Sequence, residues 1–394
     1  MSPSIRFPEF TGEWEESTIG KEFDLYSGNT PSRLNKEHFK GKVNWISSGE
    51  LKNHYIYSSK EQISEDAAKN LKLLPKGTFV IAIYGLEAEG VRGTGSITQE
   101  PSTISQACMA FIPQGDIENE FLYSWYKKHG EVIGVRYAQG TKQQNLSYDI
   151  LEKFKIAYPS IKEQKKLNKF IALLDERIAV QSRLIEDLKK LKSAISKELF
   201  SNHLMFDKKV PLSDFCSMKN GYAFKSSSYE VDGIYNIVTI ANVTGDRYIS
   251  SDCNKVANMP NDIQIHQHLC VNDILVSLTG NVGRVSLCRE GYYLLNQRVG
   301  LLDVSKTICK EFIYQILSTK HFENEMIAKA QGAAQMNISK SDVESYLIPY
   351  TTNLNVINKV ASLLNAYDSQ ILMGEQLLLD LTRQKQYMLR QMFI

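Results

Sequence analysis

The sequence predicts an α+β fold: two mixed α/β globular domains separated by two long antiparallel coiled-coil helices, arranged as an internal pseudo-twofold repeat. Three observations predict it. The phrase QGTKQQNLS at 139–147 returns as QGAAQMNIS at 331–339. The spacing holds outside the phrase, with Phe154/Tyr346 and Ile156/Ile348 offset by 192 and Asp175/Asp368, Ile178/Ile371, Lys192/Lys385 and Phe200/Phe393 by 193, which marks a tandem duplication rather than a chance match. Each copy then ends in the apolar periodicity of a long helix. The predicted boundaries are 1–158 and 204–351 for the globular domains and 159–203 and 352–394 for the helices.

Composition fits this division. A chain of 394 residues, 43% hydrophobic and 23% charged, buries more than one core. No stretch approaches the ~18 apolar residues of a membrane span and the opening MSPSIRFPEF has no apolar run, so the expectation is a cytoplasmic protein with no membrane partner. Six cysteines without a CxxC spacing point to reduced thiols instead of a disulfide framework or zinc site. The net charge of +2 hides a local excess, 10 Lys/Arg against 6 Asp/Glu over 160–206, at the end of the first repeat.

In the globular parts, β-branched runs at 78–83, 235–240 and 273–278 read as strands, bounded as they are by turn formers. Glycine-bearing loops follow at 84–95 and 279–286, and short helices are expected at 121–128 and 312–317. In the repeated phrase, Gly140 and Gly332 permit a tight turn. Ser147 and Ser339 are placed to cap the helices that follow, and Asn145 and Asn337 to tie the loop down with their amides. Lys142, Gln143 and Gln335 are freer to reach a ligand.

The first long helix opens on Ser160-Ile-Lys-Glu163, a capping-box spelling, and runs to Phe200 without proline or glycine. At 1.5 Å per residue it is a rod of about 60 Å. Its seam is Leu167, Ile171, Leu174, Ile178, Ile185, Leu188 and Ile195; the matching seam is Leu364, Tyr367, Ile371, Leu378, Leu381 and Met388. Steps alternating between three and four are those of a coiled coil. Both seams are broken at the same two places, Gln181 and Lys192 in one and Gly374 and Lys385 in the other. Matching seams in one chain are predicted to face each other, antiparallel because the chain must run out and return. Leu173, Leu184, Leu191, Leu372, Leu377 and Leu379 lie off the seam, a stripe wide enough for a further partner helix.

A search for chemistry finds no phosphate-cradling GxxxxGK[ST], no HExxH and no methyltransferase tetrapeptide. His266 and His268 read as surface residues, and no metal ligand set is predicted. Glu163-Gln-Lys165 is similar to a nuclease fragment, but helix capping and solvation account for it better.

The chain resembles the specificity subunit of a type I restriction-modification system. The resemblance covers essentially the whole chain. It rests on the twice-written QG-x-x-Q-x-N-[LI]-S, the openings Phe7-Pro-Glu-Phe-x-Gly12-x-Trp14 and Lys209-Val-Pro-Leu-Ser-Asp-Phe215, the loop Thr279-Gly-Asn-Val-Gly-Arg284 with Asn296-Gln-Arg298, and the helix beginning near PSIKEQKKL. The chain departs from the pattern at Thr352-Asn353-Leu354, which lacks a proline-led cap, and in GLEAEGVRG, where the second copy has TGNVG. The resemblance implies a non-catalytic DNA-recognition subunit of host defence. Two target-recognition domains would read the halves of a bipartite site on double-stranded DNA, with the helices as spacer. The implied partners are two modification (methyltransferase) subunits and, through them, restriction (ATP-dependent translocase/nuclease) subunits. The cofactors S-adenosylmethionine, ATP and Mg would belong to those partners, none being bound by this chain. Base reading needs donors and acceptors at groove edges. The candidates are Thr30, Arg33, Tyr84, Arg92, Lys142 and Gln143 in the first domain and Tyr222, Lys225, Asn281, Arg284, Arg298 and Gln335 in the second. Three alternatives stand beside this reading: the recognition partner of a two-chain cut-and-methylate system, a coiled-coil scaffold carrying two protein-binding modules, and a nuclease or methyltransferase with an unusual site.

Overall fold

The structure, a computed structural model, describes residues 2–87, 90–140, 144–331 and 336–394. Lys142, Gln143 and Gln335 lie outside the described residues. The chain divides into two compact units, Met1–Gln181 with Leu377–Ile394 (unit 1) and Ser182–Gln376 (unit 2).

In unit 1 the larger sheet has the strand order Phe23–Ser27, Cys108–Pro113, Phe79–Ala82, Gly95–Thr98, Tyr55–Ile56. All its pairs are antiparallel except the last. A smaller sheet sets Val43–Ile46 between Glu61–Ile63 and Ser102–Ile104. The expected strand at 78–83 is the buried Phe79–Ala82, and its alternation explains why it is apolar throughout. Phe79 and Ile81 enter one core, while Val80 and Ala82 enter another on the opposite face, the period of two that a strand imposes.

Unit 2 repeats the frame. Cys216–Asn220, Val299–Val304, Ile274–Ser277 and Val285–Leu287 pair antiparallel in the same order, and Tyr235–Val238 lies in a second sheet with Asn254–Val256, Tyr293–Leu295 and His268–Leu269. Ile274 and Val276 enter one core and Leu275 another. Register is repeated as well as order: Phe23 faces Pro113 as Cys216 faces Val304, and Glu15 faces Tyr158 as Lys208 faces Tyr350 in the ribbons that lead into the rods.

Two repeat-matched glycines hold this frame at its edge. A Cβ on Gly28 would lie 2.1 Å from the carbonyl oxygen of Ile104, and one on Gly221 would lie 2.2 Å from that of Asn296. Only a residue without a side chain lets the backbone pass so close.

Several sequence expectations need correction. The helix expected at 121–128 is Asn119–Tyr137. Gly130 and Gly134, poor helix formers, masked its second half; they are tolerated because a Cβ at Gly130 would meet Gly93 Cα at 2.7 Å and one at Gly134 would meet Arg92 Cγ at 3.0 Å. In the second repeat Lys310–Leu317 stops at Ser318, and a separate helix, Lys320–Ala330, starts with Thr319 accepting from the Phe322 N–H. The Ser160–Glu163 capping box is replaced by a long-range pair, Glu163 taking both Nε and Nη2 of Arg6 at 2.7 Å. Solvation holds for Lys165, which is exposed, but not for its neighbours: Glu163 is 1% and Gln164 0% exposed. Gln164 instead bonds the Glu118 N–H and the carbonyls of Asp116 and Pro159, clamping the helix start to its domain. Ser339 caps its helix through a full capping box with Asp342, whereas Ser147 holds the equivalent position without a side-chain bond.

The rods are Ile161–Ser201 and Leu354–Met392. Every predicted seam residue is buried or partly buried, while Leu173, Leu184, Leu191, Leu377 and Leu379 face solvent; Leu372 is partly buried. In unit 1 Leu167, Ile171 and Leu174 share a core with Leu389, Met392 and Phe393. In unit 2 Lys192 bonds Asp368 and Lys189 bonds Glu375, so a step back along one rod is a step forward along the other, the predicted antiparallel sense. The polar seam break at Lys192 is thus an ion pair, 2.6 Å to Asp368 Oδ1, and Lys385 pairs with Asp175 in unit 1. Among the described residues, no helix is long and apolar enough to cross a membrane.

Three stability outcomes follow. Gly221→Ala should cost about 1–3 kcal/mol through forced backbone movement, whereas Gly12→Ala, with nothing within 4 Å of the new Cβ, should be near neutral; urea unfolding of the full chain reads both. Lys192→Ala should cost about 2 kcal/mol, the worth of a hydrogen bond to a charged group, in the same measurement.

Candidate nucleic-acid interface

The frame brings four chain segments side by side where strands end, along one edge of each unit. In unit 2, Tyr222 N–H donates to Leu295 O, Leu278 N–H to Arg298 O, and Ile338 N–H to Leu278 O, at 2.8, 3.0 and 2.9 Å. In unit 1, Asn29 N–H donates to Ile104 O, Ile83 N–H to Ala107 O, and Leu146 N–H to Ile83 O, at 3.1, 3.0 and 2.9 Å. The repeated phrase therefore ties down the glycine loop, but by its backbone: Tyr84 bridges Asn145 as Thr279 bridges Asn337. The Asn145 amide oxygen, expected to help, is buried with no hydrogen-bond partner.

Each glycine loop is shaped by short-range bonds. In unit 2, buried Ser277 donates its hydroxyl to Asn281 O and accepts the Arg284 N–H at 3.1 Å, with Gly283 at φ 77° closing the turn, a left-handed conformation that suits glycine. Asn281 projects into solvent and Arg284 is half-buried, its Nε 3.5 Å from Glu323. In unit 1, Leu86 N–H donates to Gln144 O at 3.0 Å, and Glu87 accepts the Gln144 N–H at 2.8 Å. That backbone bond holds the Glu87 carboxyl below its usual range.

The predicted reading residues separate into two groups. Tyr84, Lys225, Asn281 and Arg298 are exposed at or beside this edge. Thr30 is partly exposed there, its N–H turned to the Asn29 side chain. Others are engaged within the fold. Arg92 is half-buried and donates Nη2 to Gln144 at 2.9 Å. Arg33 makes a bidentate pair with Glu61 and lies over the Phe39 ring; the carboxylate raises its guanidinium and is itself lowered. Tyr222 donates its hydroxyl to Asp262 at 2.9 Å, and that bond holds the phenol above its ordinary range. Sequence reasoning passed over Gln106 and Gln297, repeat-matched glutamines exposed on the turns of this same edge; their shared identity at the repeat spacing was the available signal.

His266 lies 3.0 Å from Asn220 O, and among the described residues no group of three His, Cys, Asp or Glu side chains is arranged to hold a metal. The six cysteines are free thiols. What the edges offer is hydrogen-bonding and cationic side chains on a rigid main-chain frame, a surface for polar recognition.

Comparison with known proteins agrees with this geometry. The family model for the type I restriction modification DNA specificity domain matches residues 11–190 and again 207–383, once per repeat. The type I restriction enzyme MjaIX specificity subunit of Methanocaldococcus jannaschii is 30% identical over 196 residues, spanning 48% of this chain but only 43% of that relative. The MjaVIII specificity subunit of the same organism is 24% identical over 88% of this chain and 83% of its own. In fold, the chain is similar to the S subunit of the type I system from M. genitalium, with TM-score 0.62, 18% identity and coverage of 100% and 99%. It is also similar to a chain from a structure of type I system assembly and conformational transition, with TM-score 0.60, 15% identity and 97% coverage of both. Matched in both repeats over most of its length, this chain belongs to the family of type I restriction-modification DNA specificity proteins.

Proposed function

We propose that the chain is the sequence-reading, non-catalytic subunit of a cytoplasmic restriction-modification assembly, each unit reading one half of a split site on double-stranded DNA. The observation that carries this reading is the repetition of one backbone edge under different side chains. Thr30 and Tyr84 stand on the first edge, and Lys225, Asn281 and Arg298 on or beside the second. A fixed frame with exchanged donors is what two half-sites of unlike sequence require, because groove edges are distinguished by hydrogen-bond pattern. Gln106 and Gln297, alike in both copies, suit contacts common to both halves, such as phosphate.

The exposed leucines beside the rod seams, Leu173, Leu184 and Leu191 on one and Leu377 and Leu379 on the other, of which Leu184 and Leu377 are repeat-matched, supply an apolar stripe on each rod for two modification subunits. Restriction subunits join through those. S-adenosylmethionine, ATP and Mg reside on the partners, where the chemistry is done.

The test is methylation mapping by long-read sequencing of DNA from cells carrying the chain with its modification subunit, against cells without the chain. A split motif methylated only in the first culture is the expected result; a stable complex without chain-dependent methylation would overturn the proposal. Arg298→Ala should relax or abolish one half of that motif, by about 1–3 kcal/mol per lost bidentate base contact, and leave the other half unchanged. Lys225→Ala should likewise relax specificity in the half read by the second unit, by about 1–3 kcal/mol, with the other half unchanged, read by competition titration with DNA altered in one half-site at a time.

A further inference from the structure

In each unit one buried charge cluster joins the globular body to the rods, and the two clusters follow one plan, with His54, Ser124 and Ala172 standing where unit 2 has Arg247, Gln315 and Asn365. In unit 2, the Arg247 guanidinium lies 5.7 and 5.1 Å from the ring centroids of Tyr248 and Tyr314. It donates to both oxygens of Glu311 at 2.9 Å, and to Asp368 Oδ2 and Asn365 on the second rod at 2.8 Å. The other Asp368 oxygen accepts from Lys192 of the first rod.

In unit 1, His54 occupies the position of Arg247. Its ring is stacked between Tyr55 and Tyr123, centroids 4.0 and 3.9 Å away and planes within 11° and 1° of parallel. Nε2 is 2.9 Å from Glu120. Nδ1 faces Asp175 Oδ2 at 3.8 Å, beyond hydrogen-bond reach, and that oxygen is buried without a hydrogen-bond partner. Asp175 Oδ1 accepts from Lys385. Glu120, Tyr55, Tyr123 and Asp175 match Glu311, Tyr248, Tyr314 and Asp368 in the repeat, and the two lysines exchange rods.

We propose that His54 and Arg247 are positioning residues that key each DNA-reading domain to its rods, and that the first key is protonation-dependent: the imidazolium closes the Nδ1–Asp175 bond that neutral imidazole leaves open. The geometry stands by itself; its consequence for DNA rests on the reading proposed above. Neutral imidazole has one N–H and one acceptor lone pair, whereas imidazolium has two donors. Between two carboxylates, the neutral ring must therefore turn a lone pair toward one of them. Guanidinium is always charged and never meets this choice, while histidine changes charge between about pH 5 and 8.

The groups facing His54 are Tyr55 and the nearby Tyr57, Glu120, Tyr123 and Lys127 on Asn119–Tyr137, Asp175 on the first rod and Lys385 on the second. Burial keeps the tyrosines as phenols, Tyr55 pushed up to about 12 and Tyr123 higher. Burial pushes the Lys127 ammonium down to about 8, so it adds stability with rising pH, and only above about pH 8. His129, lowered by burial, also favours the folded state as pH rises. Both oppose the His54 effect, in which the bond is present at low pH and lost as pH rises.

Hydrogen exchange of the full chain tests the key. Protection of residues 50–57 and 119–126, corrected for intrinsic rates, is compared with that of 243–249 and 310–317 at about pH 6 and about pH 7.5. The wild-type ratio should fall by more than about twofold across this window, the direction required when a bond to the protonated ring is lost as pH rises. His54→Arg should hold the ratio within about twofold, and Arg247→His, made together with Gln315→Ser to match Ser124 and free the Asp368 oxygen, should transfer the pH dependence to unit 2. A wild-type ratio that does not move, or an equal fall in His54→Arg, would overturn the proposal. If His54→Arg fails to fold, the double variant in unit 2 alone decides, an unmoved unit 2 overturning it. Exchange is read without DNA, so its failure removes the key alone; a failure to find any chain-dependent methylated motif removes the DNA-reading function alone.

Discussion

A carboxylate held near a helix seam demands a cation, and Asp175 and Asp368 organise much of the molecule around that demand. Each is answered from two directions: by a lysine of the opposite rod, and by a basic side chain of its own globular body, directly for Asp368 through Arg247 and at longer range for Asp175 through His54. Burying such charges contributes little net stability in comparison with an apolar seam of equal volume. Their effect is on specificity. An apolar seam alone is tolerant of sliding, whereas a paired charge within it accepts one alignment.

Much of this was legible in the sequence because duplication supplies its own control. The rods and seams could be read from periodicity, and the strands from apolar runs bounded by turn formers. Where reading failed, the deciding partner was distant in sequence. Glu163 spells a local cap, but Arg6 takes its carboxylate. Asn119–Tyr137 is interrupted by glycines whose purpose appears only once Gly93 and Arg92 pack against them. The lysines looked like flaws in the seams until each met an aspartate from the other rod.

At the candidate interface, residue type and loop position found exposed Tyr84, Lys225, Asn281 and Arg298. The same criteria also selected Arg33 and Arg92, whose guanidiniums are satisfied by Glu61 and Gln144. Composition cannot distinguish a cation directed outward from one that braces the fold; only the location of the nearest acceptor can. Gln106 and Gln297 were overlooked for the opposite reason, since a search for differences between the copies discards what they share.

The edges are held by main-chain bonds, from Tyr222 to Leu295, Leu278 to Arg298 and Ile338 to Leu278 in one unit and their counterparts in the other. Side chains standing on such an edge are close to spectators in folding. This separates two pressures that conflict in most proteins: substitution at exposed Lys225, Asn281 or Arg298 changes the surface with little effect on the probability that the chain folds. The architecture is therefore evolvable in a specific sense, in that side chains on this surface can vary while the frame stays fixed, and a combinatorial library built at those positions would lose few members to misfolding.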